Sequence, residues 1–205
     1  NTKSSIKIRM APKELSASIL ELNSVLINKN GNSRGKLCGD MGKMFSFGRK
    51  NRNEEYVSAI SNIEIQKLIS KIGKLRKIFF KQEFPDDYEK YFKNVNIDID
   101  YMKDNLTDFM VHSIALCNSS HYDVNDSTIT ITTWVEDIVG NTDNWYLVFP
   151  NVALIDSCIN NKATVIKLSH GCTISWDASK LRHASSKVSY KIRGSSAGNC
   201  ETRKK

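Results

Sequence analysis

The sequence lacks long apolar runs, and none of its hydrophobic stretches approaches the roughly 20 residues that a membrane-spanning helix requires. It also lacks a signal-peptide pattern at its start. Its five cysteines are odd in number and show no C-x-x-C spacing, which argues against a disulfide framework and against a cysteine-bound zinc ion. Reduced thiols are typical of intracellular proteins, and we expect a nuclear or cytoplasmic location.

A phosphate-binding loop is missing as well. Gly31, Gly35 and Lys36 form G-x-x-x-G-K, which is one residue short of a Walker A motif, and leucine follows where that motif has serine or threonine. The short spacing and the leucine argue against a P-loop nucleoside triphosphatase. The basic, glycine-rich segment that remains is either plain surface or a loop that faces a substrate.

Positive charge is what the sequence has in excess. It contains 30 lysines and arginines against 22 aspartates and glutamates, which gives a formal net charge of +8. Such a balance favours an anionic partner, and nucleic acid is the first candidate. The alternative is a lysine-rich surface that only keeps the protein soluble. No motif fixes an oligomeric state.

Length and hydrophobic periodicity predict one α+β domain over residues 1–205. Apolar residues between Tyr56 and Asn94 recur at helical spacing, so we expect residues 1–95 to form a helical and loop part. From residue 96 onward, short β-rich runs alternate with turn-forming residues. This pattern predicts about six strands in a barrel, sandwich or jelly roll, with the N-terminal helices packed outside.

All four histidines lie in the β-rich half. His121 and Asp123 are two residues apart where a predicted strand ends. Because residues i and i+2 of a strand face the same side, their side chains should converge. They are therefore either a pair of metal ligands or a hydrogen-bonded pair at a loop.

A second histidine from another strand would complete a site with two histidines and one carboxylate, which is typical of non-haem Fe(II) centres. Two residues are candidates. His183 begins a predicted strand after the turn "DASK", whereas His170 precedes Gly171 in a predicted turn. His112 lies inside an apolar strand, and we expect it to line the core rather than bind a metal.

The order of these motifs resembles the Fe(II)/2-oxoglutarate-dependent dioxygenases over roughly residues 105–195. The resemblance is carried by H-x-D at His121, by the glycine turn and apolar strand of "HGCTISWDASKLRH", and by R-x-S at Arg193 and Ser195. It implies a double-stranded β-helix (jelly-roll) core. It also implies that His121, Asp123 and His183 bind Fe(II) and act in catalysis, and that Arg193 and Ser195 bind 2-oxoglutarate.

The resemblance further implies an oxidoreductase that uses O₂ and 2-oxoglutarate as co-substrates to hydroxylate a C–H bond. The basic charge favours a nucleobase in DNA or RNA as the substrate, as in the ten-eleven translocation and J-binding protein branch. The sequence is polar after Ser195, so Lys187 and Lys191 are alternative anchors for a carboxylate. The aromatic residues expected to wall the barrel, as core rather than as a substrate platform, are Trp134, Trp145, Tyr146 and Trp176.

Two other classes of protein stay open. A metal-free, basic β-barrel module that binds nucleic acid would explain the charge but not the order of the motifs. A cupin-like protein with another metal would share the barrel. It is disfavoured because Ser119 stands two residues before His121, where such sites usually carry a further histidine.

Overall fold

The computed structural model describes residues 5–30, 42–48, 62–124, 129–137, 144–152 and 163–188. These residues belong to two compact units. The helical unit contains the described residues between Arg9 and Ala115. The β unit contains residues 5–8 and the described residues from Leu116 onward. The described helices include none that is long and apolar enough to cross a membrane.

The helices and strands follow one another in this order: β1 (Lys7–Met10), α1 (Lys13–Leu26), β2 (Lys43–Gly48), α2 (Ile63–Glu83), α3 (Pro85–Asp87), a π-helical turn (Tyr88–Phe92), a 3₁₀ turn (Asp100–Met102), β3 (Phe109–Ile114), β4 (Asn118–His121), β5 (Thr130–Thr133), β6 (Asn144–Phe149), β7 (Thr164–Leu168), β8 (Cys172–Trp176) and β9 (His183–Val188).

Helix α2 is the longest element of the helical unit, and its start is fixed by a side-chain cap. The Asn62 side chain accepts hydrogen bonds from the backbone N–H groups of Glu64 and Ile65, at 2.9 and 3.3 Å. The helix then buries residues at helical spacing, among them Ile69 and Ile72. It packs against α1, and β2 pairs antiparallel with β3 in the same unit.

The β unit consists of two sheets. One has the strand order β4–β9–β6–β7 and the other β1–β8–β5. The pairs β4–β9, β6–β9, β6–β7 and β5–β8 are antiparallel. From β4 to β9 the chain passes repeatedly between the two sheets. Their facing side chains form one core, which includes Leu147 and Phe149 from β6 and Ile174 and Trp176 from β8. The fold is therefore mixed, with helices and antiparallel sheets.

The strands predicted from the sequence are all found, in the described residues, as β3 and β5 to β9. Strand β2 was not predicted, because it lies within the segment interpreted as a glycine-rich loop. Its sequence nevertheless alternates, and Phe45 and Phe47 are buried on one face. The packing of the helices outside the β-rich core and the division at residue 95 stay predictions.

Candidate metal centre

The structure brings His121, Asp123 and His183 together at one end of the β4–β9 pair. His121 and His183 are directly opposite each other in this antiparallel pair, and their ring centroids are 4.5 Å apart. Asp123 follows β4 and bridges them. Its Oδ1 lies 3.3 Å from Nε2 of His121, and its Oδ2 lies 3.3 Å from Nε2 of His183. One ligand atom from each residue lies within 4.8 Å of the others.

Backbone carbonyls orient both imidazole rings. Nδ1 of His121 lies 2.7 Å from the carbonyl oxygen of Ser119, and Nδ1 of His183 lies 3.0 Å from that of Leu181. Because a carbonyl can only accept a hydrogen bond, each Nδ1 carries the proton that it donates. In a neutral ring the lone pair is then on Nε2. Both lone pairs therefore face the Asp123 carboxylate.

This arrangement needs a positive charge at its centre. Hydrogen bonds from His121 first, and from His183 second, lower the pKa of Asp123 well below its usual value when the Nε2 atoms carry protons, and a cation bound in place of those protons would favour the ionised carboxylate in the same way. Two lone pairs and a carboxylate repel one another unless a cation or ring protons lie between them. A bound cation would remove this repulsion, and imidazole with carboxylate suits a divalent transition metal.

A single turn after β8 holds two of the three residues in place. The carbonyl of Ala178 accepts the backbone N–H of Asp123 at 3.0 Å, and the Leu181 carbonyl orients His183. Asp177 closes the turn, since its Oδ1 accepts hydrogen bonds from the Ser179 hydroxyl at 2.6 Å and from the Lys180 N–H at 3.2 Å. Burial acts to raise the pKa of Asp177, but these bonds and the Lys180 ammonium outweigh it and lower the pKa.

Aromatic side chains wall the inner side of the centre. The Trp176 ring meets the His183 ring edge to face at 5.2 Å, and Phe149 lies 6.5 Å from His183. Trp176 and Trp145 are buried, as expected for core residues. Tyr146 follows Trp145 on β6 and is less buried, because successive residues of a strand face opposite sides. The wall limits the access of water to His183, which is 5% exposed.

The two remaining histidines lie elsewhere. His112 is buried on β3 in the helical unit, with its Nε2 3.4 Å from the side-chain oxygen of Asn23. His170 lies in a turn, and its Nδ1 is 3.3 Å from the backbone N and O of Glu136. Neither belongs to the metal-ligand group, which is the single such group in the described part of the chain. The structure thus selects His183 over His170 as the partner of His121.

The residues predicted to bind 2-oxoglutarate lie beyond the last described residue, Val188. Arg193 and Ser195 lie outside the described residues, as does the alternative anchor Lys191. Lys187 is on β9, and its side chain is not among those described. Their role in binding a carboxylate stays a prediction.

The basic face of α2 is partly neutralised. Lys71 lies 3.5 Å from Glu21, and Lys74 lies 3.5 Å from Asp104. Burial lowers the pKa of Arg76 to about 10, which still leaves this guanidinium charged at neutral pH. Paired lysines of this kind are typical of a solvated surface, and they do not distinguish it from a face that contacts phosphates.

No protein-family model and no curated protein matches the sequence. Among solved structures, the chain is similar to OsALKBH1, with a TM-score of 0.47 and 10% sequence identity. The similarity covers 92% of this chain and 88% of that chain. A likeness of this size establishes neither a family nor an activity.

Proposed function

We propose that the protein is an Fe(II)/2-oxoglutarate-dependent dioxygenase whose metal is held by His121, Asp123 and His183. The observation that supports this most strongly is the convergence of two imidazole lone pairs on one carboxylate. Two histidines and one carboxylate leave coordination positions open, which is what an oxygenase centre requires. A metal-free binding module would leave this convergence without a purpose.

We also propose that the β unit is the double-stranded β-helix expected from the sequence. Two features support it. The chain passes between two facing sheets from β4 to β9, and the metal ligands come from the paired strands β4 and β9. Arg193 and Ser195 follow β9 in the sequence, and we propose that they bind 2-oxoglutarate, as the resemblance implies.

When bound, Fe(II) and 2-oxoglutarate supply the activation of O₂ that hydroxylates a substrate C–H bond. The chain's own residues prepare the centre for this chemistry. The carbonyls of Ser119 and Leu181 fix the tautomers of both rings, so each presents Nε2 without a proton. The Asp123 carboxylate lies 3.3 Å from each Nε2 and supplies the anionic ligand. Trp176 and Phe149 keep the inner side apolar, which limits competing reactions with water.

Nucleic acid is the substrate class that we propose to test first, with a base in DNA or RNA as the hydroxylated group. The support is the net charge of +8, which favours polyanions. An enzyme that acts on a base needs cationic contacts to the backbone as well as a pocket for the base. Proteins and small molecules are the next classes to be screened.

The direct test is the formation of succinate from 2-oxoglutarate. Purified protein is incubated with Fe(II) and 2-oxoglutarate, with and without O₂, and in the presence of single-stranded DNA or RNA. We expect succinate only when both Fe(II) and O₂ are present. The His183→Ala variant should produce none, whereas His170→Gln, which changes a histidine outside the centre, should retain the activity. Equal succinate from the parent chain and His183→Ala would refute the proposal.

A further inference from the structure

Strand β4 carries an extra residue just before the metal centre. Asn118 is paired with Ser185 of β9, whereas His121 is paired with His183. The chain therefore advances three residues along β4 while it advances two along β9. Two residues of one strand that oppose one residue of its partner form a β-bulge. This bulge lies between the pair that begins β4 and the pair that belongs to the metal centre.

The bulge determines which side chain lies opposite His183. If β4 continued from Asn118 in regular register, Ser120 would be paired with His183 in place of His121. Successive side chains of a strand point to opposite faces, so this shift by one residue would carry His121 to the other face of the sheet. The group formed with Asp123 and His183 would then lose one imidazole. The metal centre therefore depends on a register of β4 that includes the bulge.

The hydrophobic pattern that usually sets the register of a strand is absent from β4. Its sequence is Asn-Ser-Ser-His, and all four residues are half-buried. A strand that is polar on both faces specifies its register only weakly and is prone to slip against its partner. Specific polar contacts must therefore hold β4 in the bulged register.

The side chain of Asn118 provides these contacts at the start of the bulge. Its Oδ1 accepts the backbone N–H of Ser185 at 2.7 Å and the Ser185 hydroxyl at 2.8 Å. The Ser185 carbonyl accepts the Cys117 thiol at 3.2 Å, and the Ser185 hydroxyl also lies 3.1 Å from the Leu116 carbonyl. Side chains thus bind both backbone groups of Ser185, which in a regular ladder bond to the backbone of the neighbouring strand.

The bulge also contains a carbonyl that orients a metal ligand. Ser119 lies inside the bulge, and its carbonyl accepts the Nδ1–H of His121 at 2.7 Å. Bulges re-aim side chains and are over-represented next to active sites. The same local irregularity thus sets both the position of His121 and the orientation of its ring.

We propose that Asn118 is a positioning residue for the metal centre. By binding Ser185, it keeps β4 in the register that places His121 opposite His183. This inference rests on the proposed function, since it concerns the same metal ligands. It goes further in assigning a role to a residue that belongs neither to the H-x-D motif nor to the ligand group. Losing Asn118 should therefore change the affinity and the coordination geometry of the metal, and not only the stability of the fold.

The experiment compares metal binding by the full chain and by four variants. Asn118→Leu removes the acceptor at a similar side-chain size, whereas Asn118→Asp keeps an acceptor oxygen. Ser185→Ala removes the hydroxyl donor and leaves the backbone N–H in place. Thr164→Val is the matched control, because it removes a 2.8 Å hydrogen bond to the Val152 carbonyl on β7, the strand at the other edge of the same sheet.

Three quantities are measured for each protein. Isothermal titration with Mn(II) gives the metal affinity, and the visible spectrum of the Co(II)-loaded protein reports the coordination geometry. Thermal unfolding without metal gives the stability of the fold, so a loss of stability can be separated from a change at the metal.

We expect Asn118→Leu to weaken Mn(II) binding about tenfold or more and to alter the Co(II) spectrum, because groups that support metal ligands have effects of this size. Ser185→Ala should show a smaller loss of affinity, since one of the two bonds to Oδ1 remains. Asn118→Asp should bind Mn(II) as the parent chain does. Thr164→Val should unfold at a lower temperature without a change in affinity or spectrum.

The outcomes separate this inference from the proposed function. If the parent chain binds Mn(II) and Asn118→Leu binds it with the same affinity and Co(II) spectrum, the inference is wrong and the metal centre stands. Equal losses in Asn118→Leu and Thr164→Val would also refute it, since the effect would then be one of general stability. If Asn118→Leu does not fold, Ser185→Ala decides, and an affinity equal to that of the parent overturns the inference. If the parent chain binds no Mn(II), the proposed function fails and the inference fails with it.

Discussion

His121 and His183 face each other directly across two antiparallel strands, and each presents Nε2 to a different oxygen of Asp123. Strand pairing alone produces this convergence, since the two histidines are 62 positions apart in the sequence. The two rings share one tautomer because each donates its Nδ1 proton to the carbonyl two residues earlier. Two contacts to Asp123 and two to backbone carbonyls thus arrange a group that could hold a cation.

The first prediction concerns stabilisation by metal. Because a metal that binds only the folded chain stabilises it, a metal concentration about 100 times the dissociation constant should add about 2.7 kcal/mol to the free energy of unfolding. We expect thermal unfolding with Mn(II) or Co(II) to show this for the parent chain and for His170→Gln. His121→Ala and His183→Ala should lose at least about 100-fold in metal affinity and show no such shift. An equal shift in all four proteins would place the metal elsewhere.

The second prediction concerns pH. The lowered pKa keeps Asp123 ionised well below neutral pH, so changes in metal affinity near neutrality come from the two imidazoles. Metal and proton compete for Nε2 of each ring. The apparent affinity should therefore fall with decreasing pH, by up to about tenfold per pH unit for each ring. Metal titration against a competing chelator measures this. An affinity that is constant between pH 5.5 and 8 would contradict the assignment.

The third prediction concerns the turn that positions Asp123 and His183. Asp177→Ala removes the acceptor for Ser179 and for the Lys180 N–H. We expect a loss of about 1 kcal/mol in stability and about tenfold in metal affinity, because the turn carries the carbonyls that orient two ligands. Lys180→Ala removes the ion pair of an exposed ammonium with Asp177 but keeps the two hydrogen bonds of the turn, so it should change both quantities less than Asp177→Ala does. If Asp177→Ala lowers stability but leaves metal affinity intact, the turn does not position the ligands.

The fourth prediction concerns the helical unit. Gly48 has a φ of +94°, and a Cβ at this position would collide with the backbone carbonyl of Asp108. Gly48→Ala should therefore destabilise the protein by about 2 kcal/mol or more, through backbone strain and displacement of the start of β3. Denaturant unfolding measures the change. A loss below about 0.5 kcal/mol would show that the β2–β3 pair adjusts freely at this position.

Much of the candidate centre could be predicted from the sequence because its signals are local. The spacing of His121 and Asp123 predicts convergence through the two-residue period of a strand. The turn residues before His183 predict the start of a strand there. His112 was expected in the core from its apolar neighbours, and it is buried on β3.

The rest depends on contacts between distant parts of the chain. Strand β4 (Asn118–His121) contains no apolar residues that alternate with polar ones. Only its pairing with β9 makes this segment a strand. The choice of His183 over His170 follows from that pairing. The position of Asp123 between the two rings, which its bond to the Ala178 carbonyl helps to fix, is likewise a product of tertiary structure that no local pattern encodes.

The most direct test of the central claim is the visible absorption of the anaerobic protein during titration with Fe(II) and 2-oxoglutarate. Chelation of Fe(II) by 2-oxoglutarate in such a centre gives a weak metal-to-ligand charge-transfer band. We predict a band that appears only when both are added, saturates at one Fe(II) per chain and is absent from His183→Ala. A well-folded parent chain that binds no Fe(II) and gives no band would contradict the account.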